Sequence, residues 1–446
     1  MPAILRKMDE MGRRGRRGDM RDMRDMRGRQ RWLLWGAYAA VLLAAPLLFP
    51  QAAALSILSQ MGTAMVFALS YNMLLGQGGM LSFGHAVYSG LGAYVAIHAL
   101  NLATAGSLPL PVSLVPLAGG LGGLFFGIVF GYLSTRKAGT GFAMITLGMV
   151  ELVFASALMF PGFFGGEGGV SGNRVFGAPF LGISFGPQIE VYYLIAAWLF
   201  ICTAAMYAFT RTPLGRILNA VRDNPERAEF IGYDPRRVRY LTLVLSAFFA
   251  GVSGGLAALN FEIVSAENVG AARSAGVLLA SFIGGIGHFF GPLLGAIAGV
   301  FLTVVLSAWT KAWQLYLGAV FMLMVMFAPG GLAGMLLGLL GLLRQGWRGG
   351  IAACAVMLAW LACLGAAALL AFAGVALLVE MLYQRSLESA DGSAVRLFGM
   401  TLDTVAVAPW LLALAAMAAG SGAFLQLRRA FLVRWQAPAG AQEECA

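Results

Sequence analysis

Few side chains in this sequence can do chemistry in an apolar setting, and they fall in short groups. Asn72 precedes the break "GQGG", which holds Gly76 and Gly79, and Ser82 and His85 follow it. Thr146 and Glu151 interrupt a later apolar run. A polar or ionisable group among lipid-facing helices is costly, so it marks a solute pathway, a proton relay or a bond between helices. Asn72, Ser82, His85 and Thr146 could hand a small polar solute along, and the glycine break could turn backbone carbonyls toward a cavity. Glu151 could carry a proton, which is the chemistry of an ion-coupled secondary transporter, although no basic residue shares its run. His85, His98 and Glu151 would serve equally as hydrogen-bonding glue between helices.

Other chemistries find little support. The chain has only Lys7, Lys137 and Lys311, and none lies in a G-x-x-x-x-G-K-[ST] phosphate loop, so no ATPase is encoded here. There is no H-E-x-x-H zinc motif, and Cys202, Cys354, Cys363 and Cys445 show no metal or redox spacing. No metal and no cofactor of its own is expected. "GVSG" at 251–254 and "HFFGPLLG" at 288–295 match the serine and histidine patterns of rhomboid intramembrane proteases. The expected topology sets Ser253 toward one leaflet and His288 toward the other, too far apart for a base to activate a nucleophile. Small-residue helix packing explains both strings.

The elements that position these residues are membrane helices. Hydrophobic residues make up 59% of the 446, charged residues 11%, and mean hydropathy is +0.80. Apolar runs of about 20 residues, enough to cross roughly 30 Å of hydrocarbon, recur along the chain. The fold class is therefore all-α and polytopic. Spans are expected near 32–50, 54–75, 81–102, 112–134, 140–160, 189–210, 238–260, 274–288, 290–308, 314–328, 350–379 and 404–427. "GGIGHFFGP" leaves 274–308 open to being one broken or re-entrant helix. Two glycine series at a spacing of four, Gly119/123/127/131 and Gly287/291/295/299, would each put a smooth ridge on one helix face.

Charge sets the sidedness. Residues 1–31 carry eleven Lys or Arg against five acids, which makes this basic arm cytoplasmic and a cleaved signal peptide a poor fit. Counting crossings then puts Arg136, Lys137, Arg344, Arg348, Arg428, Arg429 and Arg434 inside. The loops with Glu167 and Arg174, with Glu262, Glu267 and Arg273, and at 380–403 fall outside. Both termini are expected in the cytoplasm.

After six crossings comes a polar island. "TPLGRILNAVRDNPERAEFIGYDPRR", residues 212–237, packs five arginines and four carboxylates into 26 residues. Thr212 can cap a helix that starts at Pro213, and Leu214, Ile217, Leu218 and Val221 then form one apolar stripe. Asn224 and Pro225 repeat the start, Gly232 offers a left-handed stop, and Asp234 and Pro235 begin the next span. A helix pair lying on anionic lipid would be repelled through Asp223, Glu226 and Glu229, so a protein partner suits the mixed charge better.

This island and the span after it resemble the cytoplasmic loop of permease subunits in the branched-chain amino acid ABC importer family. The family's G-R-x-x-x-A-x-R-[DE]-N stretch is matched by Gly215, Arg216, Ala220, Arg222, Asp223 and Asn224, and its alanine-rich turn ending in glycine by Ala228 and Gly232. Further blocks agree in order: "YNMLLGQGGMLSFGHAVYSGLGAY" from Tyr71, "GTGFAMITLGMVELV" from Gly139 with the later "GGEGGVSG", and "GGIGHFFGPLLGA" through "FAPGGLAG" to Gly334. The resemblance implies a ten-span importer core over 32–343, with two additional C-terminal spans in the extension 344–446, beyond where family members usually stop. It implies a bacterial inner-membrane permease moving branched-chain amino acids or related small solutes. Its expected partners are two cytosolic ATP-binding subunits, a second homologous permease, a periplasmic solute-binding protein and the lipid bilayer, with no nucleic acid. ATP would be used by those subunits, which would dock on the 211–237 loop through Gly215, Arg216, Arg222, Asp223, Asn224, Ala228, Glu229 and Gly232. Asn72, Gly76, Gly79, Ser82, His85, Thr146 and Glu151 are the pathway candidates.

Overall fold

A computed structural model describes residues 32–175, 184–328, 330–348, 351–387, 394–397, 400–403 and 407–436. The basic arm 1–31 and the C-terminal tail lie outside the described residues. Two compact units divide the chain, Met1–Ser281 and Phe282–Ala446.

The first unit is a helical bundle. It contains α1 (Trp32–Leu48), α2 (Ala52–Asn72, prolonged as a π-helix to Gln77), α3 (His85–Thr104), α4 (Val115–Ser134), α5 (Thr140–Met159), the short α6 (Pro161–Phe164) and α7 (Gln188–Arg211). Next come α8 (Pro213–Asp223), α9 (Pro225–Phe230), α10 (Pro235–Phe261) and most of α11 (Ala271–Gly284). Strands β1 (Val170–Ser171) and β2 (Ile263–Val264) pair antiparallel, which brings the segments after α5 and α10 together.

Small residues hold the centre of this bundle. Lipid gives helices no hydrophobic reason to associate, so close backbone approach supplies the attraction through dispersion. The first glycine series does this along its whole length. On α4, Gly119 faces Gly251 and Gly255 of α10, Gly123 faces Ala247 and Gly251, Gly127 faces Ala247, and Gly131 faces Leu243 and Tyr240. Gly92 of α3 enters the same junction, where an added Cβ would lie 2.5 Å from the Gly251 Cα. The "GVSG" string is thus a packing surface. Its Ser253 is buried and donates to the Thr63 carbonyl at 2.8 Å.

The second unit contains α12 (Gly291–Val300, continued through a π turn and a 3-10 turn to Ala308), α13 (Trp313–Phe327), α14 (Gly331–Arg348), α15 (Ile351–Leu387) and α16 (Val407–Gln436). A hairpin of β3 (Ala394–Leu397) and β4 (Met400–Asp403) stands between the last two. Here the second glycine series falls short of expectation. Gly287 lies in the turn before α12, so only Gly291, Gly295 and Gly299 share a helix, and Gly291 packs on the Gly284 and Gly285 carbonyls. Helices α15 and α16 meet through Gly374 and Gly420, each against the other helix's backbone. The Thr310 hydroxyl donates to the buried Glu380 carboxylate, a residue expected in an outer loop but found on α15.

Each of the twelve expected crossings coincides with a helical segment. Among the described residues nine helices are long and apolar enough to span a membrane, and α13 with α14 forms a tenth, bent by 57° at its break. The other two, α1 and α11, are shorter apolar helices. The 14 residues of α11 reach only about 21 Å at 1.5 Å per residue, less than the hydrocarbon thickness. Over 274–308 the chain forms two helices, α11 and α12, with a turn at 285–290. Helix α14 was not expected from sequence.

Gly123→Ile should force α4 and α10 apart and cost roughly 3 kcal/mol, the upper range for overpacking. Gly148→Ala, whose Cβ meets open space, should leave stability unchanged or raise it by up to about 1 kcal/mol. Thermal unfolding of the detergent-solubilised protein distinguishes the two.

Candidate functional site

The polar island folds as its caps dictate. The Thr212 hydroxyl accepts from the Gly215 amide at 3.2 Å, and Pro213 opens α8. Asn224 Oδ1 accepts from the Arg227 amide at 2.9 Å to start α9, and Asp234 Oδ1 accepts from the Arg236 amide at 2.9 Å to start α10. These acceptors satisfy amides that a helix start leaves without partners. Gly232 holds φ +93, the left-handed conformation expected of a stop. Leu218 and Val221 are buried, Leu214 and Ile217 half-buried, and Arg216 points to the exposed side. Gly215 lets α8 press on the end of α7, since a Cβ there would lie 3.0 Å from the Thr210 Cα. Ala228 is buried under α9, while Asp223 and Glu229 are exposed.

Arg222 does something the sequence did not foretell. Its Nη1 donates to the Gly76 carbonyl at 2.6 Å, and its Nε donates to Asp223 at 3.0 Å. The π-helix explains why that carbonyl is free. The Gly78 and Met80 amides both turn back to the Leu74 carbonyl and the Gly79 amide to that of Leu75, leaving Gly76 for the guanidinium. Gly79, at φ +63, makes room for the arginine stem; a Cβ there would lie 2.7 Å from Arg222 Cγ. A carbonyl turned toward a cavity is the expectation from sequence; the carbonyl of Gly76 instead accepts from Arg222, and Gly76 and Gly79 seat α8.

The other candidates form a buried cluster beside this seat. Ser70 Oγ donates to the Phe67 carbonyl at 2.7 Å, which uses its one proton, so it accepts from His85 Nε2 at 2.9 Å. That assigns the proton of His85 to Nε2 and leaves Nδ1 enclosed without a partner among the described residues. Asn72 is buried with its Oδ1 equally unpartnered. Ser82 receives the Gly84 amide on its hydroxyl, at 3.2 Å, and the Tyr71 hydroxyl on its carbonyl, at 3.0 Å. Thr146 accepts from the Phe83 amide at 3.2 Å and donates to the Ala143 carbonyl at 2.9 Å. Ser82 and Thr146 thus brace the turn before α3. His98 Nε2 donates to the Phe163 carbonyl at 2.8 Å, which is the glue role. Glu151 sits apart from all of these, on the wall of a cavity with Phe154, Glu267, Asn268 and Arg273.

The two ends of this bundle carry different charge. At one end Gly78, Lys137, Arg222, Pro225 and Arg239 line a cavity of about 110 Å³, so the loop at 135–139 lies with the island. At the other end Arg174 ties the loops together: Nε donates to the Phe185 carbonyl at 3.0 Å, Nη1 to that of Leu259 at 2.9 Å, and Nη2 to Gln188 Oε1 at 3.1 Å. Glu262, at φ +56, accepts from the Arg174 amide at 3.0 Å.

Sequence reading missed the island's tip. Phe230 is 91% and Ile231 69% exposed, with Tyr233 exposed beside them. The string "EFIGY" between a helix end and a glycine stop was the available signal. Large apolar side chains left exposed together in so polar a segment form the kind of patch that interaction sites use.

A family profile described as branched-chain amino acid transport system / permease component matches residues 53–330, well over half of the chain. The chain belongs to this family. Among similar proteins, the high-affinity branched-chain amino acid transport system permease protein LivM of Escherichia coli is 28% identical over 291 residues, covering 60% of this chain and 67% of that protein. The probable branched-chain amino acid transport permease protein LivH of Methanocaldococcus jannaschii is 28% identical over 260 residues, 55% and 79% of the two chains. BraD of Pseudomonas aeruginosa, a permease of the same description, is 23% identical over 242 residues, 52% and 78%. No solved structure matches the chain. The matched region takes in the island, the glycine junction and the His85 cluster, and it ends before α14.

Arg174→Ala should remove four charge-assisted bonds from a buried site and cost roughly 3 kcal/mol. A fall in melting temperature, with Arg174→Lys recovering only part of it, is the expected result.

Proposed function

We propose that this chain is the membrane-spanning subunit of an ABC importer that carries branched-chain amino acids or related small solutes across the bacterial inner membrane. Two cytosolic ATP-binding subunits grip the island, a second homologous permease completes the membrane part, and a periplasmic binding protein delivers the solute. The carrying observation is the island itself: two capped helices with an exposed apolar tip, bonded through Arg222 to the end of α2. The basic end of the bundle fits a cytoplasmic face under the positive-inside rule. Family membership and the names of the relatives support the substrate class.

The exposure of individual side chains supports a narrower set of docking residues. Phe230, Ile231, Tyr233, Arg216 and Glu229 face outward and would meet the ATPase. Arg222, itself partly exposed, is engaged by the Gly76 carbonyl, and Asn224 spends its side-chain carbonyl on a cap. Arg222 is therefore the transmitter, since closure of the ATPase pair moves α8 and pulls on Gly76. Glu151 as the proton carrier of an ion-coupled transporter is the rival reading, and no feature beyond the lone carboxylate favours it.

Phe230→Asp with Ile231→Asp should weaken ATPase co-purification at least 30-fold, about 2 kcal/mol at a central hot spot. Arg222→Ala should keep the ATPase bound while ATP-driven uptake falls about tenfold, the loss of one charge-assisted bond. Uptake in proteoliposomes that ignores ATP and follows an ion gradient would instead establish the rival.

A further inference from the structure

The cavity that holds Glu151 has a composition that the docking mechanism leaves unexplained. Its volume is about 590 Å³, within the range of small-molecule sites, and its wall is Glu151, Phe154, Glu267, Asn268, Gly270, Ala271, Ala272 and Arg273. Neither carboxylate makes a hydrogen bond or ion pair with a described residue. Arg273 has Nη1 on Asn268 Oδ1 at 2.8 Å and its guanidinium carbon 5.8 Å from the centre of the Phe67 ring, but its Nε is enclosed and unpartnered. Charges of both signs thus share one cavity without neutralising each other through direct bonds. An enclosed donor without an acceptor costs free energy that a ligand can recover.

We propose that this cavity is a waypoint for a zwitterionic α-amino acid with an apolar side chain. Arg273 takes the carboxylate, Glu151 and Glu267 take the ammonium group, and Phe154 with Ala271 and Ala272 receives the side chain. The proposal rests on the import reading above and narrows its substrate class. Carboxylates outnumber the guanidinium two to one, so a ligand lacking an ammonium group leaves an unmatched negative pair, and organic anions are disfavoured. Neutral amides and urea satisfy neither charge. The site draws on two parts of the sequence reading at once: Glu151 from the pathway candidates, and Glu267 and Arg273 from a loop sorted as outer on charge alone.

The test uses the full-length chain with Cys202, Cys354, Cys363 and Cys445 replaced by alanine and Ala272→Cys added on the exposed wall. The purified protein is labelled with a small cationic methanethiosulfonate reagent. At several times its dissociation constant, leucine should slow labelling roughly fivefold or more by occupying the cavity. The compound 4-methylpentanoate has the same side chain and carboxylate but no ammonium group, and should protect little. Glu151→Gln with Glu267→Gln should abolish protection by leucine. Should Ala272→Cys disturb folding, Ala271→Cys on the same wall gives the same readout. Equal protection by both compounds, or protection by neither, overturns the proposal. ATP-dependence of uptake, measured separately on the reconstituted complex, tests the import reading, so the two can fail independently.

Discussion

One hydrogen bond carries the logic of this protein, from the Arg222 guanidinium to the Gly76 carbonyl. It joins two segments 146 positions apart in the chain, the polar island and the end of a membrane helix. Several local choices exist to permit it. The π turn at Met73–Gln77 leaves the carbonyl without an amide, Gly79 clears space for the arginine stem, and the Thr212 cap with Gly215 fixes where α8 begins. A charged donor on a bare carbonyl is stronger than a neutral bond, and it can be pulled as a unit when α8 moves.

A pull on α2 is useful only if the rest of the bundle resists deformation. The glycine junction among α3, α4 and α10 supplies that resistance. Backbones in contact at Gly92, Gly119, Gly123 and Gly251 leave no soft side chains between them, so displacement passes on as rigid-body motion. Because α10 follows the island directly, the island is attached to this rigid block at one side and to α2 at the other. In the proposed importer, motion applied there has two outlets, α2 and α10.

Much of this was legible in the sequence, and what was not has physical causes. The caps at Thr212, Asn224 and Asp234, the stop at Gly232 and the ridge on α4 were readable because each depends on residues within a few positions of one another. The seat for Arg222 was not, since nothing local links residue 222 to residue 76, and the glycines there read equally well as a pathway break. Ser82 and Thr146 look functional as isolated polar residues, yet their partners are turn amides that no spacing rule predicts. Gly287 fits a four-residue spacing but falls in a turn, because Gly284 and Gly285 end the preceding helix there. Helix α14 escaped notice since its apolar run is continuous with α13 across "APGG", and only the bend separates them. Phe230 and Ile231 were passed over because sequence patterns equate apolar with buried, whereas at this tip the partner's surface is outside the chain.

The account stands or falls on which side of the membrane the island faces. The direct measurement is labelling of Glu229→Cys, in a background without native cysteines, by a membrane-impermeant maleimide. Reaction in inside-out vesicles, with protection in intact spheroplasts, is the predicted result. Reaction in intact spheroplasts would put the docking element on the periplasmic side and contradict the account.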